Sequence, residues 1–229
     1  MTLEEAMKKR HMVRKYTDKP LPADVIKLLN DRVEADNKKY NLTIQLAVDN
    51  SSAFHAVIKL LLAKGVKNYF VLAGPNTPDL DEKLGYCGAD LMLYAQTLGL
   101  NTWWVGGTFN RKKLNAAAGK NKVIGVIAVG YGASQGTPHK SKAYEDIAVY
   151  EGKTPEWFYK GVEAVLLAPT ALNKQAFQVT CSDTKVQITC SNGKFSGADL
   201  GLAKYHFELG AGIKNFQWDN DSQASKMHD

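Results

Sequence analysis

The chain has 229 residues, 45% of them hydrophobic and 23% charged, with a formal net charge of +6 and a pI near 9.0. That length carries one large domain or two small, closely packed ones, and the composition excludes extensive disorder. The positive excess suits an anionic ligand, but the lysines are scattered and no basic stripe is interleaved with aromatics, so a dedicated nucleic-acid binder is excluded.

Met1-Thr2-Leu3-Glu4-Glu5 opens an amphipathic helix with a Thr cap and early acids, which is not the pattern of a signal peptide. The spacing predicts that this helix runs on through residues 10–16 and stops before Pro20 and Pro22. A second helix follows over residues 23–39, then a strand at 42–48. Ser51-Ser52 opens a helix through Leu62, and a short buried strand lies at 69–73. Residues 79–98, rich in Leu, Met and Ala, form a long central helix, followed by strands at 102–105 and 123–129. After Gly152, Thr154-Pro155-Glu156 starts a new helix that ends near Pro169. Two strands, about 177–180 and 186–190, then a helix at 198–209 and a last strand at 215–218 complete the chain, with a polar tail from Asn220. No apolar run approaches the roughly 18 residues of a membrane span. Cys87, Cys181 and Cys190 form no CxxC pair; Cys181 and Cys190 flank a turn and are close enough to face each other, but buried thiols in a reducing compartment fit better than a bridge. A soluble, cytoplasmic protein is expected.

Gly88-Ala89-Asp90-Leu91 recurs as Gly197-Ala198-Asp199-Leu200. Each copy opens an apolar helix ending in Leu-Gly and precedes a Trp-containing strand, which suggests two related halves.

Several segments are candidates for chemistry. In Arg10-His11-Met12-Val13-Arg14 the two arginines are four apart, so on a helix they project from one face and grip one anion. Lys140-Ser141-Lys142 sits in a polar loop. Gly106-Gly107-Thr108 ends a strand carrying two tryptophans, where bare backbone lets a flat ligand approach. Pro169-Thr170-Ala171-Leu172-Asn173-Lys174-Gln175 places hydroxyl, amide and carbonyl groups in a short irregular loop. Each taken alone is also an ordinary solvated face, turn or helix terminator. Gly130-Tyr131-Gly132-Ala133-Ser134-Gln135-Gly136 imitates a dinucleotide fingerprint, but its spacing is off by one and no apolar helix follows. The histidines show no metal-ligand spacing, there is no nucleophile elbow, and His206 reads as a packed or capping side chain.

Together and in order, these segments resemble the FMN-dependent nitroreductase superfamily. Arg10-His11-Met12-Val13-Arg14-Lys15-Tyr16 looks like its opening Arg-Arg/His-Ser-x-Arg-x-Phe motif. Residues 85–100 resemble its central helix, and Trp103 to Gly107 the strand that reaches the flavin. Lys140-Ser141-Lys142 is similar to the basic pair on the FMN phosphate, and residues 169–175 to the Pro-Ser-x-x-Asn-x-Gln-Pro-Trp motif. Met12 and Thr170 stand where the family has Ser, and Ala176-Phe177 where it has Pro-Trp. In ordinary members the last motif follows the first within a few tens of residues and meets the partner subunit; here it comes only after residue 168.

The resemblance implies an α+β nitroreductase-like fold, with mixed or antiparallel sheets flanked by helices. Residues 1–152 would form a first half and residues 153–219 a second that replaces the missing subunit, leaving 220–229 as tail. The chain would then be a monomeric pseudo-dimer or a weak homodimer with one flavin site. Arg10, His11, Met12, Arg14, Gly106, Gly107, Thr108, Lys140, Lys142, Pro169, Thr170, Ala171, Asn173 and Gln175 are the residues it assigns to FMN. Arg10, Lys140 and Lys142 would clamp the phosphate, Arg14 would reach the pyrimidine end, and a Gly106 or Gly107 N–H would meet N5. Hydride would pass from NAD(P)H to a nitroaromatic, quinone or similar small acceptor, with no side chain acting as base. A flavin-binding protein without turnover and a vacant scaffold are the alternatives.

Overall fold

A capping box starts the chain. The Thr2 hydroxyl accepts the Glu5 N–H at 3.2 Å, and the Glu5 carboxylate accepts the Thr2 N–H at 3.0 Å. In the computed structural model, which describes residues 1–55, 58 and 63–219, this box opens α1 (Leu3–Lys9). The helix stops there, not at residue 16, because Arg10 turns into extended backbone with φ −72° and ψ 121°. Beyond it Met12 bridges Thr102 in parallel, Val13 N–H donates to Thr102 O at 3.2 Å, and Tyr16 bridges Gly132. An open sheet edge supplies backbone partners that a continued helix would forgo, and it lets Val13 and Tyr16 bury their side chains. α2 (Ala23–Tyr40) ends on Asn41 in the left-handed region, φ 54°.

The first sheet has the order β1-β2-β4-β3, from β1 (Gln45–Ala47), β2 (Tyr69–Gly74), β3 (Asn101–Val105) and β4 (Lys122–Gly130), all paired antiparallel. β3 is therefore an edge, and the 12–13 segment lies along it. β1 is shorter than the strand expected over 42–48; Leu42 and Ile44 are buried but run ahead of the pairing. α3 (Leu80–Thr97) covers this sheet so closely that a Cβ on Gly88 would come 2.3 Å from the Trp104 ring. α4 (Arg111–Ala118), capped by the Asn110 side chain, was not expected from the sequence; it is short and polar, and buries only Leu114. The helix expected between Ser51 and Leu62 lies mostly outside the described residues, and its described start, 51–55, is a turn and a bend. The polar tail expected over 220–229 also lies outside them.

The second sheet has the order β5-β6-β7-β8: β5 (Ala148–Tyr150), β6 (Phe177–Ser182), β7 (Lys185–Cys190) and β8 (Gln217–Trp218). The β6–β7 hairpin is antiparallel and the two outer pairs are parallel. β5 comes before Gly152 in the chain, so the second sheet draws on residues ahead of the boundary read at 152. Cys181 pairs with Val186 and Cys190 with Phe177. The two cysteines thus sit at opposite ends of the hairpin, which corrects the idea that they face each other, and all three thiols are free. Two helices, α5 (Glu156–Val165) and α6 (Ser196–Ala211), close this unit over a core that includes Phe158, Val162, Phe177 and Phe207. The last strand is only two residues long, because residues 213–215 form a 3-10 turn.

α3 and α6 join the two units through bare backbone. A Cβ on Gly201 would lie 2.0 Å from Glu82 O, and one on Gly85 would lie 2.2 Å from Ala198 O. Within this interface Asp90 on α3 accepts from Arg32 of α2 and from Tyr205 of α6. Asp36 stands nearby with Oδ2 buried and unpartnered. No described helix is long and apolar enough to cross a membrane.

Candidate functional site

The turn at the end of α1 sends Arg10 inward. Its side chain is only 6% exposed, and no ion pair among the described residues includes it. Burial lowers its pKa to about 10, with Tyr16 opposing, so the guanidinium remains cationic at neutral pH. A buried cation without an acid is costly and marks a place built for an anion. The end of α1 therefore corrects the helical-face argument. Arg10 and Arg14 do not share a helical face; Arg14 is exposed, with its guanidinium 5.2 Å from the centroid of the Trp103 ring.

His11, which the resemblance assigned to FMN, and His206 and His139, which it did not, lie within electrostatic reach of one another and of Arg10. Its charge and that of His139 depress both His11 and His206, although burial is the larger cause for each. His206 is 1% exposed and its pKa falls to about 3, so it is neutral. Nδ1 lies 2.8 Å from Leu202 O, and a carbonyl only accepts, so the proton is on Nδ1. The lone pair of Nε2 is then buried with no partner. The capping role read from the sequence is correct for one nitrogen, and the other is an acceptor waiting for a donor. The only sequence signal for this was the i−4 spacing to Leu202.

The rear loop meets the front half here. Asn173 Nδ2 donates to Lys140 O at 2.8 Å, Lys142 N–H donates to Gln175 Oε1 at 2.7 Å, and Lys142 Nζ donates to Gln175 O at 2.9 Å. Gln175 Nε2 and His139 Nε2 both reach Leu166 O, each at 2.9 Å. Gln175 is buried and fully engaged in holding this junction, and the Lys142 ammonium is already bonded to backbone. On its other side the loop is tied to α6, where Ala171 N–H donates to Asp199 at 3.1 Å, and Thr170 Oγ1 accepts the Gln175 N–H at 3.0 Å. Asp199, the counterpart of Asp90 in the repeated tetrad, has its pKa raised to about 6 by burial, against the Ala171 N–H. Leu172, Asn173 and Gln175 all adopt positive φ, at 54°, 53° and 45°, and Leu172 is 89% exposed. Non-glycine residues held in this region store strain, which proteins concentrate at binding loops. Pro169 is half-buried at the loop entrance.

Gly106, Gly107 and Thr108 lie at the other end of β3. Four strand steps from Thr102 to Gly106 span about 13 Å. Along α6, the eleven residues from Phe195 to His206 span roughly 16 Å. Thr102 bridges Met12, two residues past Arg10, and Gly106 meets Phe195, so Arg10 lies toward one end of β3 and the Gly106–Phe195 contact at the other. A Cβ on Gly106 would come 2.8 Å from the Phe195 ring, whereas Gly107 has open space and Thr108 is exposed. Arg111 donates to Gly106 O at 3.2 Å and to Val123 O at 2.8 Å. The site residues expected from the sequence therefore fall into two groups: Arg10, His11, Lys140, Lys142, Asn173 and Gln175 at one end, and Gly106, Gly107 and Thr108 at the other. Met12 and Arg14 are exposed on the segment along β3.

This α+β arrangement, with two four-stranded sheets packed through paired helices, is the nitroreductase fold. The chain belongs to the family described as "Putative TM nitroreductase", whose model matches residues 2–211, and this is an oxidoreductase family. It is similar to a crystal structure described as a putative nitroreductase from Thermotoga maritima, at 20% identity and TM-score 0.66, covering 92% of this chain and 83% of that one. A putative NADH dehydrogenase/NAD(P)H nitroreductase from Bacteroides thetaiotaomicron matches at 16% identity and TM-score 0.52, over 63% of this chain and 95% of that one. A nitroreductase family protein from Streptococcus pneumoniae matches at 13% identity and TM-score 0.51, over 64% and 98%. The last two matches use nearly all of the relative but leave over a third of this chain unmatched. No curated protein matches the sequence.

Proposed function

We propose that the chain is an FMN-dependent oxidoreductase of the nitroreductase type, cytoplasmic, with one flavin site assembled from both parts of a single polypeptide. The observation that carries this reading is a pair of unmet demands at one place. Arg10 is a buried cation without an acid, and His206 Nε2 is a buried acceptor without a donor. A phosphorylated polyol meets both, through its phosphate and its hydroxyls, and FMN carries that group on its ribityl chain. Thr102, which bridges Met12, and Gly106 are about 13 Å apart along β3, which suits a ligand with an anionic head and a flat far end.

In this reading Arg10 carries the main charge on the phosphate, with Lys140 beside it, while Lys142 fixes the junction to Gln175 rather than acting as a free clamp. Charge-assisted bonds of this kind contribute about 1.5–3 kcal/mol each. Asn173, Thr170 and Ala171 shape the strained loop over the sugar, and Gly106 and Gly107 leave backbone N–H groups accessible where the ring ends. Arg14, beside Trp103, favours negative charge at the pyrimidine edge. When bound, FMN would supply the redox chemistry, taking reducing equivalents from NAD(P)H for a nitroaromatic, a quinone or a similar small acceptor. The residues of the chain orient the reactants and exclude water; none is needed as a general base.

The second sheet and α6 stand in for the partner subunit of shorter relatives, which leave over a third of this chain unmatched. The protein then works as a monomeric pseudo-dimer or a weak homodimer, with no nucleic-acid or membrane partner. The test is optical. A yellow preparation that bleaches anaerobically with NADH or NADPH and recovers on adding an acceptor supports the enzyme. Flavin that stays oxidised under excess reduced nicotinamide leaves only a binding protein, and a colourless protein that takes up no FMN overturns the proposal.

A further inference from the structure

A cavity of about 110 Å³ opens beside Gly106, lined by Asp81, Trp104, Arg111, Ile124, Lys194 and Phe195, with Ala198 closing it. It contains none of the residues assigned to the nucleotide, and its walls come from both parts of the chain. Trp104 belongs to edge strand β3 and Phe195 to the start of α6, and the Phe195 ring also packs against Gly106. Trp104, Phe195 and Ile124 give the cavity aromatic and apolar walls. A cavity of roughly 150 Å³ takes up a benzene ring, and sites for larger ligands measure about 300 Å³ or more, so this smaller, open cavity seats the edge of a single ring whose substituents stay in its mouth.

The charges around it are unbalanced. Asp81 is already held by Lys122 at 2.8 Å, which neutralises the one acid in the lining. The Arg111 guanidinium is fixed by its bonds to Gly106 O and Val123 O and lies 4.5 Å from the centroid of the Phe109 ring. Lys194 is exposed, its ammonium 5.6 Å from the centroid of the Phe195 ring, and no ion pair among the described residues includes it. Two uncompensated cations thus stand at the mouth of an aromatic slot. An arene carrying a carboxylate, sulfonate or phenolate satisfies both features, with the ring between Trp104 and Phe195 and the anionic group toward Lys194 and Arg111.

We infer that this cavity is a binding subsite for a small monocyclic aromatic anion, placed where the electron acceptor approaches the far end of the nucleotide. Its role as the acceptor subsite rests on the proposed flavin reading; its affinity for the anion does not. A neutral analogue of the same shape keeps the ring contacts and loses the charge contacts, so the site discriminates by charge rather than by size.

The test is calorimetric titration of the full chain, before and after addition of FMN, with 4-nitrobenzoate and with 4-nitrobenzamide. The expected result is that the anion binds about tenfold more tightly than the amide. Lys194→Gln removes most of that preference while leaving amide affinity within about twofold, and Phe195→Ala weakens both ligands. Lys194 is exposed, so its replacement does not threaten folding. Equal affinities for the two probes, or a preference that survives Lys194→Gln, overturns the inference. If FMN does not bind but the charge preference stands, the flavin reading fails and the aromatic-anion site remains. If FMN binds and the preference is absent, the site fails and the flavin reading remains.

Discussion

Lys142 and Gln175 hold each other by two bonds: the Lys142 N–H donates to Gln175 Oε1 at 2.7 Å, and the Lys142 ammonium donates to Gln175 O at 2.9 Å. This couples a loop of the front part to the strained loop of the rear part. Gln175 is buried, and its amide nitrogen is spent on Leu166 O. Gln175→Ala leaves the Lys142 N–H without its acceptor and removes one of the donors on Leu166 O, which His139 still reaches, and should cost about 1–2 kcal/mol in urea unfolding. FMN affinity should fall as well, because the loop loses its anchor.

Arg10 sets stability against binding. Its buried charge costs free energy when no anion is present, so Arg10→Met should leave the flavin-free protein as stable as the parent or about 1–3 kcal/mol more stable. The same variant should bind FMN about 10- to 100-fold more weakly. Paired unfolding and flavin-fluorescence titrations measure both effects. Loss of stability without loss of binding would mean that Arg10 serves the core.

Asp36 predicts a pH dependence. Burial, and secondarily the Asp90 charge, raise its pKa from 3.8 to about 7, against Arg32 and Lys39. The folded state therefore holds a proton that the unfolded state releases between about pH 4 and 7, and this group's contribution to stability falls as pH rises through that window. Asp36→Asn should abolish the fall. The variant should be about 1–3 kcal/mol more stable than the parent at pH 8, with little difference near pH 4, in urea unfolding at the two pH values.

Asp90 is a buried side chain of α3 that accepts from Arg32 of α2 and from Tyr205 of α6. Asp90→Asn leaves the partly exposed Arg32 without its counter-ion and should cost about 1–3 kcal/mol. If both parts of the chain unfold as one unit, a single cooperative transition should shift; a second transition would show that they unfold separately.

Much of this was legible in the sequence because it rests on local patterns. Apolar periodicity located α2, α3, α5 and α6, and the order of Arg10, Gly106, Lys140 and Asn173 carried the family resemblance. The failures came where tertiary contacts override local preference. Residues 10–16 carry a helical spacing, but the open edge of β3 captures them. α4 is too polar for periodicity to reveal, and β5 pairs with a strand 31 positions away, from Ala148 to Val179. The histidines around Arg10 come from α6 and from the loop before Lys140, and no linear spacing shows that they meet. Phe195 was missed for the same reason, since its importance lies in a contact with Gly106.

The most direct measurement is a binding titration comparing FMN with riboflavin, its phosphate-free analogue, on the parent chain and on Arg10→Met. One FMN should bind per chain, with riboflavin at least about tenfold weaker on the parent and that difference largely erased by Arg10→Met. Equal affinity for the two flavins on the parent, or FMN binding that Arg10→Met leaves unchanged, would contradict this.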